Sequence, residues 1–244
     1  LAVDKKDNQF GLELSPYQYE RKALKLKADC LSRLNQSESY QKAAQLLYGL
    51  TINENEAAKD AEILATLAAQ IKRNAFVNQE ESLPDVRLLE NSLELYLEAF
   101  RHDYEQYYPA INAAYLLIMI GHLQEGKEGG IKIEHGRMLA RYISDKWNHK
   151  KGDDWWTDTT LAQAEMLLEH YDVAAEIMEN AIHEHPHSIH LFEIRATRDQ
   201  IEKYLQVAGT NKAERASKIV TLLQDAILST EKKPSKKEEI KVGG

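Results

Sequence analysis

The chain has 244 residues, a formal net charge of −8 and one cysteine, Cys30. A lone cysteine cannot form an internal disulfide, and the negative charge works against nonspecific binding to nucleic acid or anionic membranes. The longest apolar stretch, around residues 113–120, is far shorter than the ~20 residues that cross a bilayer, and no signal-peptide pattern is visible at the start. We therefore expect a cytoplasmic protein with no membrane and no nucleic acid among its partners.

Composition predicts an all-α fold, because Ala, Leu, Glu and Lys are abundant while the chain holds only 11 Gly and 5 Pro. Residues 1–14 lack periodicity and are predicted to be an extended lead-in. Residues 15–228 are predicted to form one helical-repeat domain without an internal domain boundary. Residues 229–244 have no apolar face and are predicted to be a disordered polar tail.

The first two predicted helical pairs occupy the N-terminal part of this domain. Ser15 and Pro16 have the residue types of an N-cap and a first helical position, so a helix is predicted to begin there. Its partner helix follows a polar break at residues 35–38. The second pair is predicted to begin near Ala57, and its second helix follows an inserted loop that contains Pro84.

The remaining three pairs are predicted from Tyr107 onward. The first begins with a densely apolar helix that is predicted to end at Gly121, and its partner is predicted over residues 131–147. The next occupies residues 155–186, where small residues recur at positions typical of a tetratricopeptide-type pair. In the last pair, Gly209 is predicted to cap one helix, and Asn211 with Glu214 resembles a capping box for the next.

Five such pairs predict a tetratricopeptide-like α-solenoid, in which each pair buries its apolar face against its neighbours. Two segments also resemble a known family. YYPAINAAYLLIMIG at residues 107–121 and DDWWTDTTLAQAEMLLEHYDVA at residues 153–174 resemble the TRAF-binding, tetratricopeptide-like regulatory region of the apoptosis signal-regulating kinases and its bacterial relatives. The resemblance spans roughly residues 57–204, with Ala110 in place of the family's usual Gly and Gln163 in place of a frequent Glu.

The resemblance implies a scaffold that binds regulators and restrains a catalytic domain. No kinase motif occurs in the chain, so kinase activity is not implied. We therefore predict a noncatalytic scaffold for protein–protein interaction or intramolecular regulation, and not an enzyme. The alternative is a helical enzyme or small-molecule-binding domain with a site lined by His and Glu.

Three features of the sequence have residue types that could form a chemical site. The segment from Gly121 to Lys127 resembles a phosphate-binding loop, but Glu128 stands where Ser or Thr would hold magnesium and no predicted strand precedes it, so a simple connecting loop is favoured. Cys30 is predicted to be a structural thiol. Four histidines lie close to Glu184 and could supply metal ligands, namely His183, His185, His187 and His190. Pro186 interrupts their helical spacing, so we predict neither a metal nor a cofactor.

The repeat register predicts a concave groove for a protein or peptide partner. Residues at equivalent positions of two first helices would line it, and they are Tyr108, Ile111, Tyr115, Trp156, Thr159, Gln163 and Met166. A second copy of the chain is a further candidate for this groove, which would make a homodimer.

Overall fold

The computed structural model describes residues 16–34, 36–53, 60–77, 83–124, 126–185 and 191–231. These residues form ten α-helices, one 3-10 turn and no strand, so the all-α prediction is confirmed. The helices are α1 (Pro16–Ser32), α2 (Ser37–Asn53), α3 (Ala61–Asn74), α4 (Val86–His102), α5 (Tyr107–Leu123), α6 (Lys127–Trp147), α7 (Trp155–Leu167), α8 (Tyr171–Glu184), α9 (Leu191–Ala208) and α10 (Thr210–Glu231). The 3-10 turn is Asn148–Lys150. None of the described helices is long and apolar enough to span a bilayer.

Each of the five predicted helical pairs packs together, namely α1 with α2, α3 with α4, α5 with α6, α7 with α8, and α9 with α10. The helices group into two compact units, Leu1–Glu105 and Gln106–Gly244. The predicted lead-in over 1–14, the predicted cap at Ser15 and the predicted start near Ala57 lie outside the described residues.

The first unit contains α1 to α4, each helix packed on the next. Asp60 and Asp85 are the N-caps of α3 and α4, because each carboxylate accepts hydrogen bonds from two backbone N–H groups of the first turn. The buried Ser92 hydroxyl donates to the carbonyl oxygen of Ala68 at 2.8 Å and links α4 to α3. The core contains small and branched apolar side chains, and they are Ala28, Ala43, Leu47, Leu50, Ile63 and Leu67.

The second unit is built around α5, which packs against α6, α7 and α9. Twelve of its 17 residues are buried, as its dense apolar sequence predicts. Helix α6 also packs on α7, and α10 packs on α8 as well as on α9. The residues of α5 are therefore enclosed by three other helices. This enclosure limits how many of the predicted groove residues on α5 a partner could reach.

Two predicted helix boundaries between α5 and α6 are wrong, for a common reason. Helix α5 continues past Gly121 to Leu123, and α6 begins at Lys127 rather than near residue 131. A Cβ atom on Gly121 would lie 2.6 Å from the carbonyl oxygen of Gly129. These two glycines therefore lie inside helices and allow close backbone approach, whereas the sequence alone predicts a helix end at Gly121 and a loop around Gly129.

The α9–α10 boundary follows one prediction and departs from another. Gly209 directly follows α9 with φ of +97°, as predicted for a left-handed C-terminal cap. Helix α10 begins at Thr210, so Asn211 lies inside the helix and the predicted capping box is wrong. Because α10 continues through Glu231, the helix extends beyond the predicted boundary at 228; residues 232–244 lie outside the described residues.

Candidate functional site

The seven predicted groove residues lie on α5 and α7 but differ in exposure. Four of them are at most 2% exposed, and they are Ile111, Tyr115, Thr159 and Met166. Gln163 is half-buried, whereas Tyr108 and Trp156 are each 40% exposed. The structure therefore leaves two of the seven side chains well exposed to a partner.

The buried members contact groups within the second unit. The Tyr115 hydroxyl donates to the backbone carbonyl of Gln200 on α9 at 3.1 Å. The Gln200 side-chain amide donates to the Gln163 oxygen on α7 at 2.8 Å. Thr159 donates its hydroxyl to the carbonyl oxygen of Trp155 within its own helix, at 2.9 Å. Helix α9 thus covers the faces of α5 and α7 at these positions. A continuous groove there stays a prediction, and a partner could enter such a groove only if α9 moved.

Aromatic side chains gather where α5 and α7 begin and α6 ends. The rings of Tyr107 and Tyr142 meet the Trp147 ring edge-on, with centroid distances of 6.3 Å and 6.0 Å. Trp147 is 1% exposed, whereas Tyr142 is 41% exposed. Lys146 lies with its Nζ 4.9 Å from the centroid of the Trp147 ring, a cation–π distance.

The starts of α5 and α7 are close enough for Tyr107 to interact with Asp154 and Thr157. Burial, with the negative charge of Asp154, raises the pKa of Tyr107, although the interaction with Thr157 opposes the shift. Asp154 caps α7 by accepting from the Thr157 N–H at 2.9 Å. We call this region the aromatic end of the second unit and define it by Tyr107, Tyr108, Tyr142, Trp147 and Trp156.

A second constellation surrounds Glu169 in the turn between α7 and α8. Its carboxylate pairs with Arg137 of α6 and with Lys212 of α10, whose Nζ lies at 3.0 Å, while Arg215 lies at 3.9 Å. Glu169 is 28% exposed and adopts φ of +67°, which is uncommon for a residue other than glycine. Basic side chains from two helices therefore converge on one strained turn.

The surroundings of the Glu169 turn include a histidine and two tyrosines. Lys212 Nζ lies 3.3 Å from His122 Nε2, and burial together with Lys212 and Arg137 lowers the pKa of His122. The hydroxyls of Tyr171 and Tyr204 are buried and have no hydrogen-bond partner among the described residues. Burial, reinforced by the charge of Glu169, raises the pKa of both tyrosines.

The structure also locates the predicted histidine group. His183 is exposed on α8, and His185 follows the end of that helix with its Nε2 3.0 Å from Asp158 Oδ2. His187 and His190 lie outside the described residues. Sequence reasoning missed Asp158 and Glu169, because the contacts that give them significance come from residues distant in the chain.

Cys30 is exposed on α1, so its side chain is not part of the core. The segment from Gly121 to Lys127, which resembles a phosphate-binding loop, has no described strand before it. Its Gly126 has φ of +88° and lies at the start of α6. This segment is a helix–helix connection, the interpretation that its sequence favoured.

The comparison with known families supports the helical-repeat class. The family model described as Tetratricopeptide Repeats-Sensor matches residues 6–117, a little less than half of the chain, which includes α1 to α4 and most of α5. No curated protein matches the chain, and no solved structure does. The chain therefore contains a tetratricopeptide-like region.

Proposed function

We propose that this protein is a noncatalytic tetratricopeptide-like scaffold whose aromatic end binds a protein or peptide. The observation that carries the proposal is the exposure of Tyr108, Tyr142 and Trp156, each about two-fifths exposed. Tyr142 also contacts the buried Trp147. Tyr and Trp are enriched among the residues that dominate binding energy at interfaces, because they bury large area at a low cost in conformational entropy. The likeness to a repeat family agrees with binding of this kind.

The exposed aromatic side chains favour a partner with an apolar face. Charged residues of both signs lie close to them in the sequence, with Asp145 and Asp153 near Lys146 and Lys151. Complementary charges at the rim would increase the association rate, while aromatic contacts would slow dissociation. An amphipathic segment that carries both acidic and basic residues beside its apolar face is therefore the class of peptide that fits best.

The resemblance to the kinase regulatory region suggests a biological setting for this binding. In that setting the scaffold is cytoplasmic and regulatory, and the partner is a TRAF-type regulator or another segment of a longer parent chain. A second copy of the chain is the other candidate. Size-exclusion chromatography with light scattering distinguishes these cases, because a homodimer doubles the molar mass.

The direct test is capture of partners from native cell extract with the wild type and with a Tyr108→Ala, Trp156→Ala double variant. The matched control is Phe192→Ala, since Phe192 is 48% exposed on α9 of the same unit but outside the aromatic end. We expect the double variant to lose a partner that the wild type and the control both capture. The purified partner should bind the double variant at least tenfold more weakly than it binds the wild type. Equal binding by all three folded proteins would overturn the proposal.

The Glu169 constellation favours a second candidate function, recognition of a small anionic molecule. Three basic side chains, those of Arg137, Lys212 and Arg215, lie against two carboxylates, those of Glu134 and Glu169, in this region. In this candidate function, His122 and Glu169 would be the His and Glu of the alternative prediction.

Thermal-shift measurements with inorganic phosphate, sulfate and citrate test this candidate. We expect one of these anions to raise the melting temperature of the wild type and to have no effect on a Lys212→Met, Arg215→Met variant. The control is Lys218→Met, because Lys218 lies on the same helix and pairs with Glu179 instead. An unchanged melting temperature of the wild type with all three anions would exclude this function for those anion classes.

A further inference from the structure

We propose that Asp158, Glu184 and His185 form a binding site for Zn²⁺ in the second unit. One ligand atom from each of the three side chains lies within 4.8 Å of the other two. The three residues come from the first turn of α7 and from the C-terminal end of α8. The fold thus brings together two carboxylates and one imidazole, which are all established ligand types for zinc.

Asp158 is the fixed member of the group. Its side chain is 2% exposed, and its Oδ1 accepts the backbone N–H of Gly152 at 2.7 Å. That hydrogen bond orients the carboxylate so that the other oxygen, Oδ2, faces His185 Nε2 at 3.0 Å. Metal-binding carboxylates are commonly held by a hydrogen bond of this kind from outside the ligand set.

The separation of Asp158 and His185 suits a shared ion. Two ligands at about 2.0–2.1 Å from a tetrahedral zinc ion lie a little over 3 Å apart. The observed 3.0 Å also matches a hydrogen bond, so a proton can occupy the place of the ion when no metal is bound. A small movement of the His185 side chain would convert the one arrangement into the other.

Glu184 is the ligand on the solvent-exposed side of the site. It is exposed, while His185 is 13% exposed, so an ion can enter from solvent and water can complete the coordination. A Cβ atom on Gly152 would lie 3.5 Å from Glu184 Oε2, which places the Glu184 carboxylate beside the same turn that orients Asp158. The arrangement has three protein ligands and one solvent position.

The donor set favours zinc over the other common divalent cations. Calcium and magnesium are bound almost entirely by oxygen, whereas an imidazole with carboxylates suits zinc. The two carboxylates would neutralise the charge of the ion. Bound zinc would fix the turn at Gly152 to the end of α8, and it would therefore stabilise this part of the second unit.

Isothermal titration of the full chain with Zn²⁺, after EDTA treatment and dialysis, tests the proposal. We expect one ion per chain and at least a tenfold loss of affinity in Asp158→Asn and His185→Gln. The matched control is His183→Gln, an exposed histidine two residues away and outside the three-residue group, which should bind as the wild type does. Co²⁺ provides a second probe, since bound Co²⁺ should show the intense visible absorption of a four-coordinate site.

The buried Asp158 variant is vulnerable to misfolding, so Glu184→Gln is included as a change at an exposed position. We expect it to weaken Zn²⁺ binding and to reduce the rise in melting temperature that Zn²⁺ causes in the wild type, with an unchanged circular dichroism spectrum. The proposal is overturned if the wild type shows no saturable one-to-one binding. It is also overturned if Glu184→Gln and His185→Gln bind Zn²⁺ as tightly as the wild type.

Discussion

The carboxylate of Glu169 lies 3.0 Å from Lys212 Nζ and so joins the turn between α7 and α8 to the beginning of α10. Arg137 pairs with the same carboxylate oxygen from α6. Two helices and the turn between α7 and α8 therefore meet at one side chain, and that side chain belongs to a residue with φ of +67°. The ionic contacts offset the conformational cost of a left-handed backbone, which is about 1–2 kcal/mol for a residue with a side chain.

Replacement of Glu169 separates these two contributions. We expect Glu169→Ala to lower the free energy of unfolding by about 1–2 kcal/mol, because partly buried cations lose their carboxylate. Glu169→Gly removes the same carboxylate but relieves the backbone strain, so it should be more stable than Glu169→Ala by about 1 kcal/mol. Urea unfolding of the three proteins measures both differences. Equal stability of the two variants would contradict the role of the left-handed backbone.

The same carboxylate predicts a pH dependence. Burial raises the pKa of Glu169, but the hydrogen bonds and charges of Lys212 and Arg137 outweigh it, so the folded pKa is below the ordinary value of 4.5. A lowered folded pKa means that the stabilisation is present above the unfolded pKa and is lost as the pH falls through the folded pKa. The stability difference between the wild type and Glu169→Gln should therefore be largest near neutral pH and shrink below about pH 4. A difference that is constant across this range would contradict the assignment.

The helical pairs could be predicted from sequence because the signals for them are local. Apolar spacing, capping residues such as Gly209, and polar breaks each depend on a few neighbouring residues, and they correctly predict ten helices in five pairs among the described residues. The glycines show the limit of such signals. Gly121 has the same local appearance whether it ends a helix or permits the close approach of α6, and the partner backbone decides between the two.

The candidate sites were less predictable because they depend on which helix covers which face. Ile111 and Tyr115 have the apolar character expected of either a groove or a core, and the packing of α9 on α5 decides that they are buried. Asp158 is an acidic residue in a polar segment, yet it is buried because Gly152 and His185 satisfy its carboxylate. Contacts across 27 residues of chain leave no periodic signal in the sequence.

Two buried tyrosines in the second unit allow a paired test of hydrogen bonding. Tyr115→Phe removes a hydroxyl that donates to Gln200, so the free energy of unfolding should fall by about 1 kcal/mol. Tyr204→Phe removes a buried hydroxyl that has no hydrogen-bond partner among the described residues, so stability should stay the same or rise. Thermal and urea unfolding of both variants measures the contrast. A larger loss in Tyr204→Phe than in Tyr115→Phe would show that the Tyr204 hydroxyl is hydrogen-bonded.

Two adjacent glycines of α6 give the sharpest test of the α5–α6 packing. A Cβ atom on Gly129 would lie 1.9 Å from the carbonyl oxygen of Gln124 and 2.5 Å from that of Gly121, and both are backbone atoms that cannot rotate away. We therefore expect Gly129→Ala to lower the free energy of unfolding by at least about 2 kcal/mol.

Gly130 is the matched control, because it lies in the same helix turn, is exposed, and a Cβ atom there would have no contact within 4 Å. Gly130→Ala should raise the free energy of unfolding by up to about 1 kcal/mol, since alanine has the higher helix propensity. Opposite shifts of the melting temperature in the two variants, measured by circular dichroism, would agree with close helix packing at Gly129 alone. If Gly129→Ala is as stable as Gly130→Ala, the backbones of α5 and α6 do not approach closely at Gly129. Close backbone approach would then not be the reason that Gly121 and Gly129 lie inside helices.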